Sequence, residues 1–540
     1  MYKRIMAFTL TAAMTLPAIS GCKENGADSA EVFGNITTTD EYPQKTDVTL
    51  RYWLPLHSHV SATATGLNDT PFKEYLEEQT GINVKFEHPV AGQQESAFNI
   101  MIASDDMPDI IEWNWSNYNG GAQKAIDDGV IEPLNKYINS VSPNLKKIFD
   151  EHPEYRRQTE TESGEVYQYP MIRGDERLAS YMALLVRQDL LDKAGLEKPV
   201  TYDDWETMLY KFKQMGVKAP LSLRLNNLYL ETLSPFTSRF GFIADFYHDE
   251  KGNVLFGPYQ KEFADYIKML NRWYNDGILD TEFANTEKNR RVAMVANGEN
   301  GAIDATIGGD FGSFIGAILP ESGIHYTAVT FPVNKAGERP MYAQKDWQVG
   351  DGAAISATSK YKELAARLLD FGYSDEGHIL YNFGKEGVSF EYRKDENGSV
   401  SPIYTDIITD PGTNGGLTMA QSMARYLRAN YGGPFVQDIR YTEQYYTNEE
   451  QKKALDMTDS DAWKYKLPNM TYTQEEQKKL SDILTPIYTY REETVAKLIS
   501  GKLDISYLDE YFQKMKDMGI EEAISIKQRA YDRYTENAAK

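Results

Sequence analysis

Residues 48–112 read VTLRYWLPLHSHVSATATGLNDTPFKEYLEEQTGINVKFEHPVAGQQESAFNIMIASDDMPDIIE, and their periodicity decides the fold class. Residues 48–54 (VTLRYWL) alternate apolar and polar side chains as a half-buried strand does. Thr70-Pro71-Phe72 predicts a helix start, with Thr70 as N-cap and Pro71 at the first helical position, where its missing N–H costs nothing. Phe72, Tyr75 and Leu76 make one apolar face, and Gly81 ends the helix. Residues 82–86 (INVKF) predict a second strand, 94–104 a second helix and 108–112 (PDIIE) a third strand. Strand–helix–strand alternation with short connections implies a parallel, doubly wound α/β sheet.

The alternation recurs downstream. Residues 181–186 predict a strand, and Thr201-Tyr202-Asp203-Asp204 a capped helix start. Residues 260–276 predict an amphipathic helix with Phe263, Tyr266, Ile267, Leu270, Trp273 and Tyr274 on one side and Gly277 as its stop. Trp205 and Trp273 sit on helical apolar faces and read as core. Helices are expected at 289–297 and 362–373, and strands at 301–305, 325–331 and 353–356. The last quarter reads as a helical extension; Thr473 and Glu476 open a capping box, and Pro486 is expected to kink the helix that follows.

At 540 residues the chain is long enough for two large domains, and its 41% apolar and 25% charged content is globular. Acidic residues outnumber basic ones 80 to 57, a formal charge of −23 that argues against nucleic acid and anionic lipid surfaces as partners. Cys22 is the sole cysteine, so an intrachain disulfide and a thiolate zinc cluster are both excluded. Lys3 and Arg4 precede an apolar run over residues 5–19, too short to span a bilayer comfortably and broken by Pro17. It ends in Ile19-Ser20-Gly21-Cys22, which resembles the bacterial lipobox. That resemblance implies a signal peptide over 1–21, lipid on Cys22, a tether over 22–47, and a body anchored by lipid on the outer face of the cell membrane.

Five segments resemble family 1 extracellular solute-binding proteins, the capture subunits of carbohydrate ABC importers. They are IASDDMPDII (102–111), RWYNDGILDTEF (272–283), RRVAMVANGENGAI (290–303), YSDEGHILYNFGKEGVSFEY (373–392), and SGKLDIS (500–506) with QRAYDRY (528–534). The last two resemble the long lipoprotein branch of that family. The resemblance implies a two-lobed class II Venus-flytrap fold in which each lobe is a doubly wound sheet flanked by helices, with a helical C-terminal extension. Crossings are expected near 167–170, 325 and 373, giving lobe 1 as 48–168 plus 325–373 and lobe 2 as 169–324 plus 374–540. It implies an oligosaccharide in the interlobe cleft, permease subunits as partners, a monomer, no catalysis and no cofactor. Some relatives for oligosaccharides carry a structural calcium, which leaves that ion open.

Sugars need flat aromatic platforms and polar groups that fix hydroxyls, placed at the carboxyl ends of strands. Trp53 and His57 follow the first strand; Trp113, Asn114 and Trp115 follow the third. Trp347 lies where the family places a stacking aromatic. Arg173 and Tyr181 follow the first expected crossing, and Arg224, Asn226 and Asp304 lie at strand ends of the second lobe. Tyr392 and Arg425 are candidates from the helical quarter. His57 and His59 would share one strand face as two possible zinc ligands, and residues 308–312 (GGDFG) read as a ligand-facing turn. Neither G-x-S-x-G, H-E-x-x-H nor a phosphate loop occurs. A receptor for a peptide or other non-sugar solute, and a secreted carbohydrate-active enzyme with a carboxylate pair in the cleft, stay open as alternatives.

Overall fold

The computed structural model describes residues 41–104, 106–224, 235–284, 287–342 and 345–538. The expected signal peptide, Cys22 and most of the expected tether lie outside them, as does Asn226. In chain order the strands are β1 (Thr49–Trp53), β2 (Asn83–Glu87), β3 (Ile110–Trp113), β4 (Tyr169–Arg173), β5 (Met182–Arg187), β6 (Ala219–Ser222), β7 (Phe246–His248), β8 (Val254–Phe256), β9 (Asn300–Thr306), β10 (Tyr326–Val329), β11 (Val349–Ile355), β12 (Phe390–Lys394), β13 (Val400–Tyr404) and β14 (Val436–Gln437).

Lobe 1 is built on a six-stranded sheet, β14-β4-β11-β3-β1-β2, and lobe 2 on a four-stranded one, β10-β5-β9-β6. β1 lies parallel to both β2 and β3, with Tyr52 opposite Phe86 and Ile110, as the periodicity of residues 48–112 implies. The sheet is nevertheless mixed: β11 runs antiparallel between β3 and β4. Pro71 opens the helix Pro71–Thr80 and Gly81, at φ 69°, closes it. Thr70 does not cap it through its side chain, because its hydroxyl donates to the Leu67 carbonyl. Thr201 with Asp204, and Thr473 with Glu476, do form capping boxes. The helix Gln474–Ile499 runs through Pro486 unbroken. Gly398 (φ 89°) and Gly252 (φ 83°) supply the left-handed turns of the β12–β13 and β7–β8 hairpins.

Sheet membership moves the lobe boundaries. β4 belongs to the lobe 1 sheet and β5 to that of lobe 2, so the first crossing falls within 174–181, past the expected 167–170. β10 stays in lobe 2 and β11 returns to lobe 1, so the second falls within 330–348 and not at 325. Leu380, Tyr381, Ala424 and Phe435 pack in the lobe 1 core with Leu50 and Tyr52. Residues 374–437 therefore belong to lobe 1, and the last crossing follows β14. A strand pattern states that a segment is extended; it does not state which sheet it joins.

The C-terminal helices are part of lobe 2 and share its core. Leu480, Ile487, Leu498, Tyr511 and Ile526 pack with Trp205, Phe236 and Trp273. Phe236 meets both tryptophans edge to face at 5.4 Å. Both indoles are 1% exposed, as their helical positions predict. Trp273→Ala should therefore cost about 3–5 kcal/mol of folding stability, most of it from the cavity left behind, measured by urea unfolding.

Candidate functional site

A cavity of about 1370 Å³ lies between the carboxyl ends of the lobe 1 strands and the segment 466–477 with Tyr488 from lobe 2. Lobe 1 contributes residues 55–58 after β1, 112–117 at the end of β3, β4 and its approach, the start of β11, and 428–433. The placement follows from the doubly wound fold, which leaves a crevice outside the carboxyl edge of its parallel strands.

The β3 end builds an aromatic corner. Trp113 lines the cavity, stacks on Phe98 at 4.8 Å and meets Trp53 edge-on at 5.7 Å. Trp53 is 6% exposed and braces Trp113 from behind; it does not itself line the cavity. Trp115 touches the wall but is 1% exposed, its ring edge-on to Phe98, so it is core and not a platform. Asn114 caps the turn Trp115–Asn117, its side-chain oxygen accepting from the Ser116 N–H at 3.0 Å.

The second crossing passes through the site. Trp347 lines it; its indole N–H donates to the Leu467 carbonyl at 2.8 Å, and its ring lies parallel to Trp463 at 6.2 Å. Trp463 in turn donates to the Asp346 carbonyl at 2.8 Å. Arg173 reaches the same strap from β4, donating to the Trp347 carbonyl at 2.6 Å and to Asp346 at 3.1 Å. Its guanidinium holds the crossing from the cavity wall. Asp351 lines the cavity; the surrounding protein pushes its carboxyl above the usual range, with Glu112 and Asp346 adding and Arg173 opposing.

Sequence reasoning missed the part of the lobe 1 wall built on residues 428–433. Arg428 is 1% exposed and grips Glu112 with two bonds, 2.7 and 3.1 Å long, while Tyr52 donates its hydroxyl to the same carboxylate at 2.7 Å. The Arg428 guanidinium lies 5.1 Å over the Tyr431 ring, and Tyr431 stacks on His57 at 5.2 Å. The signal was Tyr431-Gly432-Gly433. A Cβ on Gly433, at φ 143°, would meet the Arg428 guanidinium carbon at 2.9 Å, so only glycine lets the chain pass. Tyr167, Gln168, Tyr472 and Tyr488 complete the lining named here.

Other expectations fail for identifiable reasons. Arg224 and Asp304 are 4% and 2% exposed and bond each other at 2.6 Å inside lobe 2. Tyr181 is 40% exposed and lines an adjoining hollow of about 220 Å³. Tyr392 stands on the β12–β13 hairpin and Arg425 on the helix Met419–Tyr426, neither of them on the cavity. Residues 307–311 form a turn packed under the helix Glu449–Asp456, with the Gln451 amide donating to the Ile307 carbonyl at 2.8 Å, and do not face ligand. His57 caps the helix Ser58–Ser61, so His57 and His59 do not share a strand face. Among the described residues no group of three His, Cys, Asp or Glu side chains is placed to hold a metal.

Residues 67–379 match the model of the bacterial extracellular solute-binding protein family. The chain belongs to that family. It is 24% identical, across 98% of both chains, to the fructooligosaccharide ABC transporter substrate-binding protein FusA of Streptococcus pneumoniae. A solved structure of that protein in complex with kestose superposes with a TM-score of 0.68 at 22% identity, covering 91% of this chain and 100% of the other. The alginate-binding protein AlgQ2, solved without calcium, gives 0.69 at 23% identity with the same coverage. These solute-binding proteins share the two-lobed fold found here.

Burial, with His59 and Arg428 nearby, pushes the His57 imidazole down from 6.5 to about 4. The unfolded chain therefore takes up this proton first, and the contribution of His57 to stability is complete above pH 6.5 and is lost as pH falls towards 4. An NMR titration should find His57 neutral until about pH 4, and His57→Gln should flatten the acid limb of apo stability between those values.

Proposed function

We propose that this solute-binding protein captures an oligosaccharide in the interlobe cavity and delivers it to a membrane ABC importer, held near the permease by lipid on Cys22. The observation that carries the reading is the cavity itself. Its volume, about 1370 Å³, exceeds the roughly 300–1,000 Å³ typical of drug-sized ligands and leaves room for several linked sugar rings. Partly exposed indoles at Trp113 and Trp347 and the Tyr431 ring offer faces for sugar C–H patches, and Asn114, Gln168, Asp351 and Asn469 offer polar groups beside them. FusA, named for fructooligosaccharides, supports a carbohydrate ligand. The Bacillus subtilis lipoprotein LipO, 24% identical over 62% of this chain and 70% of its own, supports the anchor.

Capture works by population shift. Walls from both lobes let a bound ligand bridge them, so it stabilises the closed form only to the extent that it touches both. The strap 345–349 ties Arg173 of lobe 1 to Trp463 and Leu467 of lobe 2, and bending there moves a lining residue, Trp347, with the hinge. Against the enzyme alternative, two of the cavity's carboxylates are committed elsewhere, Glu112 to Arg428 and Tyr52 and Asp346 to Arg173.

Calorimetry with a panel of neutral and acidic oligosaccharides should find ligands that also raise the melting temperature, with sugar recovered unchanged. Trp347→Ala should weaken the best ligand by roughly 1–3 kcal/mol, the range for a lost apolar contact face, while disturbing apo stability less than Trp273→Ala. Peptides binding in place of sugars, or products appearing in proportion to protein, would overturn the reading.

The anchor is tested separately. Fatty-acid labelling should mark the wild type and leave Cys22→Ala unlabelled and released from membranes; equal labelling would end the lipid assignment.

A further inference from the structure

We infer that Asp351 is a specificity-determining residue of the cleft: its carboxylate takes two neighbouring hydroxyls of an uncharged sugar ring, so the captured oligosaccharide is neutral. The inference rests on the carbohydrate reading above and names a class within it.

Three carboxylates, Glu112, Asp346 and Asp351, line the cavity beside three cationic side chains, Arg173, Arg428 and Lys466. Five of these six are held by protein. Glu112 is taken by Arg428 and Tyr52, and Asp346 by Arg173. The Lys466 ammonium donates to the Lys345 carbonyl at 2.7 Å. Asp351 is exposed in the wall and has no hydrogen bond or ion pair to any described residue. Arg173, the cation that acts on it, is spent on the Trp347 carbonyl and on Asp346.

The backbone sets Asp351 apart from its neighbours. β11 pairs Val349 with Ile172 and Gly352 with Pro170, so Gly350 and Asp351 stand opposite the single residue Met171. One extra residue in one strand is a β-bulge, which re-aims side chains beside binding sites. On its other edge β11 pairs Gly352 with Trp113, which puts Asp351 one position outward from the end of β3. An aromatic face and an uncommitted carboxylate therefore occupy adjoining places in the wall.

The chemistry of the two groups decides the ligand class. An ionised carboxylate is an acceptor only, and its two oxygens lie side by side; adjacent ring hydroxyls present two donors to match. The protein around Asp351 already disfavours its charge, with Glu112 and Asp346 adding to the effect. Hydroxyls donated to it supply the stabilisation that its surroundings do not. A uronate or sulfated ring would bring like charge against Asp351 and find every lining cation already engaged, which is costly in a poorly solvated cleft. An ammonium would have to shed a tight hydration shell to enter.

Calorimetry at neutral pH tests this with cello-, manno-, galacto- and fructo-oligosaccharides, oligogalacturonates, oligomannuronates and chitosan oligosaccharides of matched length. A neutral member should rank first, at least tenfold tighter than any uronate or amine-bearing one. Asp351→Asn keeps the shape and removes the charge. It should weaken the best ligand tenfold or more, while the apo melting temperature holds or rises because no protein group loses a partner. Monodeoxy forms of that ligand should lose tenfold or more at two adjacent positions on the wild type, and little on Asp351→Asn. An acidic or amine-bearing oligosaccharide ranked first, full affinity in Asp351→Asn, or deoxy losses that persist in that variant would overturn the assignment and leave the carbohydrate reading standing. Binding of no oligosaccharide at all would overturn both.

Discussion

The pairing of Glu112 with Arg428 joins parts of the chain 316 residues apart, and the wall of the cleft is assembled around it. Glu112 stands near the end of a central strand; Arg428 arrives after the chain has crossed to lobe 2 and back. Burial works against the Arg428 charge, but Glu112 beside it more than compensates and keeps the guanidinium protonated. Removing either partner would strand a charge in a poorly solvated place, which is why the pair specifies an arrangement more than it adds stability. The arrangement extends outward: Arg428 seats Tyr431, Tyr431 seats His57, and Gly433 leaves the guanidinium room.

Lobe 2 has a counterpart with no role at the surface. Asp304 lies between Arg224 at 2.6 Å and Arg291 at 3.3 Å, and Arg224 reaches Asp310 at 3.0 Å. Burial alone would raise the Asp304 carboxyl, yet the two guanidiniums hold it below the usual range. This network secures the end of β9 to the turn that follows it. Polar residues at strand ends thus serve two purposes in one molecule, lining the cleft in lobe 1 and closing the core in lobe 2.

The crossings are where structure and capture meet. Arg173, Asp346, Trp347 and Trp463 form a single hydrogen-bonded unit across the 330–348 connection, and three of its members, Arg173, Asp346 and Trp347, line the cavity. Lobe closure and ligand contact are therefore not separable at Trp347.

Local chemistry was legible without coordinates. The strands and helices of residues 48–112, the capping boxes at Thr201 and Thr473, and the burial of Trp205 and Trp273 follow from residue spacing, because each depends on neighbours within a few positions. The family itself was also legible from five short segments in order. Residues that look alike in sequence diverged for lack of distant partners: Trp113 faces the cavity and Trp115 the core because of where Phe98 lies, and Arg224 meets Asp304 while Arg428 meets Glu112. Sheet membership of β4, β10 and β14 and the pairing across 316 residues are long-range facts. A one-dimensional pattern carries periodicity and turn chemistry; which charges meet is decided only when segments far apart in the chain pack against each other.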